Sequence, residues 1–215
     1  MSGPSNSDKP SSITGVMGNE IILKNFDFTS ESGFGKGVYD GALVFDGVND
    51  YGICTGLPIL DDYTLICKRK WIDLSRKSNA AIANKRKVNQ TLGGAFNFER
   101  LTTSQILTLS FGNYTNIQLS SSGVVYQTKT SYNGDKVISS GSLTDTDSLF
   151  LGCSGNGIEF ANCAIYYFAL YNKSLTPEEI EEEKSRLNYE WEGRLNKKDP
   201  TWYTEALICE YNPIK

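Results

Sequence analysis

From Ile21 to about Tyr171 the chain is a succession of short apolar runs, each closed by turn-forming residues before it reaches helical length. Tyr63 to Ile72 alternates, with Tyr63, Leu65, Cys67 and Trp71 on one face. Gly94–Phe98, Gln105–Phe111, Asn116–Leu119, Gly123–Tyr126, Ser148–Leu151 and Cys163–Tyr171 continue the series, and Gly93-Gly94, Gly112-Asn113, Asn133-Gly134 and Gly155-Asn156-Gly157 punctuate it. Evenly spaced strands and turns bury their apolar faces most economically as two packed antiparallel sheets. The expected class is all-β. At 215 residues, one large sandwich accounts for the chain.

The pattern breaks once. Thr176-Pro177-Glu178-Glu179 supplies a capping threonine, a proline at the first helical position and a glutamate three residues after the cap, so a short C-terminal helix begins there. Ile180, Leu187, Trp191 and Leu195 fall on one stripe of it. The acidic run Glu178 to Glu183 is expected near the positive end of the helix dipole, facing solvent. Residues 1–19 read as an extended polar arm, 20–187 as the sandwich, and 188–215, with Trp191, Trp202 and Tyr203, as an extension that packs on the domain or on a neighbour.

Histidine is absent throughout, which removes imidazole-based triads, histidine-ligated zinc and the commonest general base. Five cysteines occur without a C-x-x-C pair, so they read as small buried thiols of a reducing compartment. A net charge of −4 and a pI near 5.0 disfavour nucleic acid as a partner. The basic triplets Lys68-Arg69-Lys70 and Lys85-Arg86-Lys87 read as solvated edges or loops. The polar start MSGPSNSDKPSSITG is not a signal peptide, and no apolar run is long enough to span a membrane. Synthesis in the cytoplasm follows, with a virion or a cell surface as the destinations to consider.

Between Gly41 and Gly56 two apolar runs, Ala42–Phe45 and Tyr51–Cys54, flank the polar run Asp46-Gly47-Val48-Asn49-Asp50. Asp-Gly between strand-like runs is a hairpin signal, since glycine supplies positive φ and aspartate bonds its own turn backbone. The run is expected to be a corner first. Asp46, Asn49 and Asp50, with Asp61 and Asp62, are also the nearest set of oxygen donors for a cation such as calcium.

These landmarks carry a resemblance. ALVFDGVNDYGICTG followed by DDYTLICKRKW, and LFLGCSGNGIEFANCAIYYFALYNKSLTPEEI near the end, resemble the concanavalin A-like, laminin-G-like (LamG, pentraxin-like) domains. The matching positions are Phe45, Asp46, Gly47, Asp50 and Tyr51, then Tyr171, Asn172, Leu175, Thr176, Glu179 and Ile180. The resemblance implies a jelly-roll sandwich, to which the short C-terminal helix and the extended termini read above are added. Some members bind calcium through acidic groups. Here the stretch Cys163–Tyr171 carries tyrosines where carboxylates would stand, so no cofactor is required and calcium is left only the Asp46–Asp62 donors.

Glycosidases of this fold need two carboxyl groups on one strand face, and no strand offers that spacing; Asp145 and Asp147 have it but lie in a turn-like segment. Glycan binding needs only aromatic faces and planar amides on loops, for which Asn113, Tyr114 and Asn116, with Tyr132 and Asn133, are the candidates. The resulting expectation is a non-catalytic surface-recognition or adhesion module. Its partner is a glycan or a protein surface, and its setting a homo-oligomer or larger assembly such as a phage head or tail decoration. A free or cell-surface lectin-like module is the alternative, and a glycoside hydrolase the third.

Overall fold

The computed structural model describes residues 5–15, 17–60, 62–74, 80–85, 96–101, 106–110, 113–116, 122–129, 147–155, 157–191 and 207–211. Their strands, numbered in chain order, form two antiparallel sheets, as the spacing of apolar runs predicts. Sheet A runs, edge to edge, β1 (Ser12–Thr14), β2 (Glu20–Lys24), β5 (Tyr51–Cys54), β12 (Leu149–Leu151), β7 (Ala80–Lys85), β8 (Phe96–Leu101), β9 (Ile106–Ser110) and β10 (Asn113–Asn116). Sheet B runs β11 (Ser122–Lys129), β6 (Tyr63–Trp71), β13 (Asn162–Tyr171), β4 (Leu43–Asp46) and β3 (Gly33–Phe34). A further strand, β14 (Leu207–Tyr211), pairs with β13 over Phe168–Tyr171, beyond the point where β4, paired over Asn162–Ile165, leaves off.

One apolar core joins the sheets. Ile21, Cys54, Ile82, Phe98, Leu149 and Leu151 from sheet A meet Phe45, Tyr63, Leu65, Cys67, Trp71, Phe168 and Leu170 from sheet B. The period-2 alternation read along Tyr63–Trp71 is therefore the inner face of β6. Gly152, just after β12, holds φ 74°, and a Cβ there would lie 2.1 Å from the Phe45 ring. Only glycine lets the backbone approach the core so closely.

On β13 the register shifts between Ile165 and Tyr167, a bulge that re-aims the strand's second half. Cys163, Ile165, Phe168 and Leu170 point into the core, whereas Tyr167, Ala169 and Tyr171 point outward and pack with Ile66, Leu175 and Ile180. This outer face is covered by helix α1 (Pro177–Trp191). The helix opens with the predicted reciprocal cap: the Thr176 N–H donates to Glu179 Oε2 at 2.9 Å and the Glu179 N–H to Thr176 Oγ1 at 3.2 Å. Upstream, the Thr64 hydroxyl donates to the Lys173 carbonyl and accepts from the Leu175 N–H, both at 2.9 Å, which fixes the β13–α1 connection against β6.

Several local expectations are corrected. Ala80–Lys85 is a fully buried strand in the middle of sheet A; Ala-Ala-Ile-Ala-Asn-Lys has neither alternation nor β-branched enrichment to announce it. Its Lys85 is buried, as is Arg69 on β6, so each basic triplet sends a member inward rather than lying wholly at a solvated edge. Within the polar arm, Ser12–Thr14 pairs with β2 and buries Ile13. Further upstream, the Asn6 side chain accepts from the Phe34 N–H and donates to the Phe34 carbonyl, both at 2.7 Å, copying a strand partner at the free edge of β3. Asn113–Asn116, read as loop up to its last residue, is the edge strand β10, with Asn113 opposite Ser110. Residues 117–119, Leu195, Trp202 and Tyr203 lie outside the described residues.

Candidate functional site

One end of the sandwich is built around the Asp46–Asp50 run. Asp46 ends β4, and its Oδ1 accepts the N–H groups of Val48 at 2.6 Å, Asn49 at 3.2 Å and Asp50 at 3.4 Å. Gly47 takes the positive φ, 71°, that the reversal needs. The Asp50 carboxylate turns back so that its Oδ2 accepts the Asp46 N–H at 3.0 Å. Each aspartate thus caps the other's backbone. The turn is tied to the neighbouring segment by Asn25, whose Nδ2 donates to the Asn49 carbonyl at 2.9 Å.

Asp50 is fully buried, and its Oδ1 has no hydrogen-bond partner among the described residues. Burial pushes its carboxyl up to about 7, against the lowering effect of the Asp46 N–H and the Ser32 hydroxyl; the charges of Asp46 and Asp27 push in the same direction as burial. At neutral pH this side chain carries a proton part of the time.

Beside the turn lies the 152–161 connection, which links the sheets and is itself well tied. The Gly152 N–H donates to Ile82 at 2.7 Å, Ala161 to Gly152 at 2.8 Å, Ser154 to Ile158 at 2.8 Å, and Ala81 to Glu159 at 3.1 Å. Tyr51, the first residue of β5, and Phe160 bring their rings to 6.3 Å between centroids at a 42° tilt, both half-buried. Gly157 sits against this pair: a Cβ there would lie 3.5 Å from Tyr51 Cε1 and 3.9 Å from Phe160 Cζ. Val48 and Ile158 at the loop tips are 62% and 45% exposed. The result is a tilted aromatic pair, an exposed amide at Asn49 and two exposed aliphatic tips, all carried on hydrogen-bonded backbone.

The oxygen donors grouped by sequence are separated by the fold. Asp46 pairs with Asn162 at one end of β13, whereas Thr64, two residues after Asp62, pairs with Tyr171 at the other. At about 3.3 Å per residue these ends lie roughly 25–30 Å apart. Asp61 lies outside the described residues. Asp46 Oδ1 is committed to three N–H groups, and among the described residues no group of three acidic, cysteine or histidine side chains could hold a metal. Asp46, Asn49 and Asp50 stay together at the corner, and Asp62 stands apart from them. Of the glycan candidates, Asn113, Tyr114 and Asn116 stand on edge strand β10, far from β5 in the strand order; Tyr132, Asn133 and Asp145 lie outside the described residues.

A second polar cluster escaped sequence reasoning. Under α1, Glu183 and Arg186 are buried together with Glu210 of β14. Tyr167 and Tyr171 donate to Glu183 Oε1 at 2.7 and 2.6 Å, and Arg186 Nε donates to Glu183 Oε2 at 2.7 Å. Arg186 Nη2 reaches the Tyr167 hydroxyl at 2.7 Å and Glu210 Oε1 at 3.4 Å. The guanidinium also sits over the Tyr167 ring, 5.7 Å from its centroid. Burial, with the nearby Tyr171 and the carboxylates of Glu183 and Glu210, holds the Tyr167 phenol well above its usual range, so it stays a neutral donor. Glu183 thus leaves the solvated acidic run expected of it. Its i,i+3 spacing to Arg186 was the available signal.

The cluster is sealed from solvent, so it clasps helix to strand and does not meet a ligand. Neither the family models nor the curated proteins searched contain a match to the chain. Among the described residues no helix is long and apolar enough to cross a membrane.

Proposed function

We propose that this chain is a non-catalytic recognition module that binds a glycan through the loop end of its sandwich. The observation that carries the reading is the half-exposed Tyr51–Phe160 pair, flanked by Gly157 and held on rigid connections. A sugar ring presents an apolar face of C–H groups and a rim of hydroxyls. Aromatic faces take the first and planar amides the second, and Asn49 supplies an exposed amide in the adjoining turn. Gly157 leaves open the space beside both rings that any side chain would enter. The adhesion role and display on a larger assembly belong to the same reading, as does independence from calcium, since Asp46 Oδ1 and Asp50 Oδ2 are already engaged by backbone N–H groups.

The test is a glycan array on the intact protein, run in calcium and again in chelator, followed by titration of the best ligand against Tyr51→Ala and Phe160→Ala. The expected result is binding unchanged by chelator and weakened at least tenfold in each variant, with melting temperature within a few degrees of the parent. Binding that survives both substitutions, or silence on the array, overturns the assignment.

A further inference from the structure

Helix α1 covers one end of the outer face of sheet B. On β6, Thr64 bonds the connection into the helix and Ile66 packs with Leu175 and Ile180. Alternate residues share a face, so Lys68, Lys70 and then Ile72 continue the same outer face beyond the helix. Among the described residues, what lies on this second end is the short turn Gly37–Tyr39. The Tyr166 hydroxyl donates to the Val38 carbonyl at 3.0 Å, and Lys70 Nζ stands 5.1 Å from the centre of the Tyr39 ring. Beneath them Ala42, Val44 and Ala164 form a buried floor, against which Tyr39, Tyr166 and Ile72 pack half-buried. Val38, at the tip of the turn, is 74% exposed.

The face is therefore stepped. One end is raised by a helix about 10 Å across, and the other is a notch roofed by side chains laid on the sheet. The two ends also differ in charge. α1 turns Glu178, Glu181 and Glu182 to solvent, with Lys184 at 2.6 Å from Glu181 offsetting one of them. The notch presents Lys68 and Lys70, both half-exposed.

We infer that this face pairs with a second copy of the chain about a two-fold axis, α1 of each protomer seated in the notch of the other. A two-fold axis that lies in the interface and crosses the strands exchanges the ends of the face, so the raised end meets the notch twice over. Each acidic helix surface then lies against two lysines. Val38, Tyr39 and Tyr166 give each contact an aromatic and aliphatic centre of the kind that dominates interface energetics, while the charge pairs fix the register. Setting helix on helix would oppose like charges, and the chain's net charge of −4 works against any pairing that is not matched in this way. The dimer stands independently of any ligand. It sends the two Asp46 corners to opposite ends of the assembly.

The experiment measures the mass of the purified full chain by light scattering after size exclusion, across the micromolar range and in low and molar salt. The expected result is a dimer of the 23.8 kDa chain that forms with rising concentration and weakens at least tenfold in molar salt. Val38→Glu should weaken self-association at least tenfold with the circular dichroism spectrum unchanged. Two charge-reversed chains sharpen the test: one carries Lys68→Glu with Lys70→Glu, the other Glu178→Lys, Glu181→Lys and Glu182→Lys. Each alone sets like charges against like and should stay monomeric. Mixed, they restore both helix-to-notch contacts and should form a heterodimer. A parent chain that stays monomeric throughout, an assembly other than a dimer, or a dimer indifferent to salt would overturn the inference. So would a dimer that survives Val38→Glu, or charge-reversed chains that fold but do not associate when mixed. The parent chain and Val38→Glu decide the matter even if a charge-reversed chain fails to fold.

Discussion

The loop end and the clasp beneath α1 both bury carboxylates, but they offset the cost differently. At the clasp, Glu183 meets a guanidinium one turn along its own helix and two phenols of β13. Among the described residues at the loop end, Asp50 receives a backbone N–H and a hydroxyl but no cation, and one oxygen is left without a partner. The first arrangement holds a charge; the second tolerates a proton. Stability of the clasp therefore depends on its cation, and stability of the corner on pH.

The sharpest way to break this comparison is Arg186→Met. It removes the cation while leaving Glu183 and Glu210 buried, and is expected to cost about 3–5 kcal/mol, read as a fall in the urea midpoint. A loss below about 1 kcal/mol would mean that the carboxylates find water, and the contrast with Asp50 would vanish. Asp50→Asn probes the other side. The folded pKa of about 7 lies above the ordinary carboxylate value of 3.8, so protonation favours the folded state: the contribution is complete below the unfolded pKa and lost as pH rises through about 7. Asparagine keeps an acceptor for the Asp46 N–H without the charge, so the variant should be about 1–3 kcal/mol more stable at pH 8 and equal to the parent near pH 4. Parallel pH curves for the two proteins would overturn the assignment. The smallest effect is expected at Asn6→Ala, which strips the strand-like partner from Phe34 for about 1 kcal/mol. Amide exchange at the Phe34 N–H should accelerate more than at Leu43, its ladder neighbour on β4.

What the sequence disclosed follows the range over which each signal acts. The Thr176–Glu179 cap and the turn at Asp46-Gly47 are complete within a few residues, so their chemistry is legible in the local string. The alternation of β6 is likewise visible along the strand. Burial of Glu183 depends on Tyr167, Tyr171 and Glu210, which only the fold brings together. Arg69 and Lys85 read as solvated for the same reason: alternate residues of a strand point to opposite faces, and a run of charges does not say which face is covered. Asp46 and Asp62 look close in the chain because only fifteen residues part them, yet β5 and its neighbouring connections carry the chain to the opposite end of the sheet. The aromatic pair at the loop end stayed hidden because Tyr51 and Phe160 belong to distant segments.

The strand order also governs the sequence of events in synthesis. β12 fills the gap between β5 and β7, and β13 the gap between β6 and β4, yet both lie after residue 148. Until they emerge, each sheet exists only as two separated halves with open hydrogen-bonding edges, the state most prone to pair with another chain. Folding therefore waits on long-range contacts and is expected to be slow and late. A nascent chain stopped before Leu149 holds most of the strands and neither finished sheet.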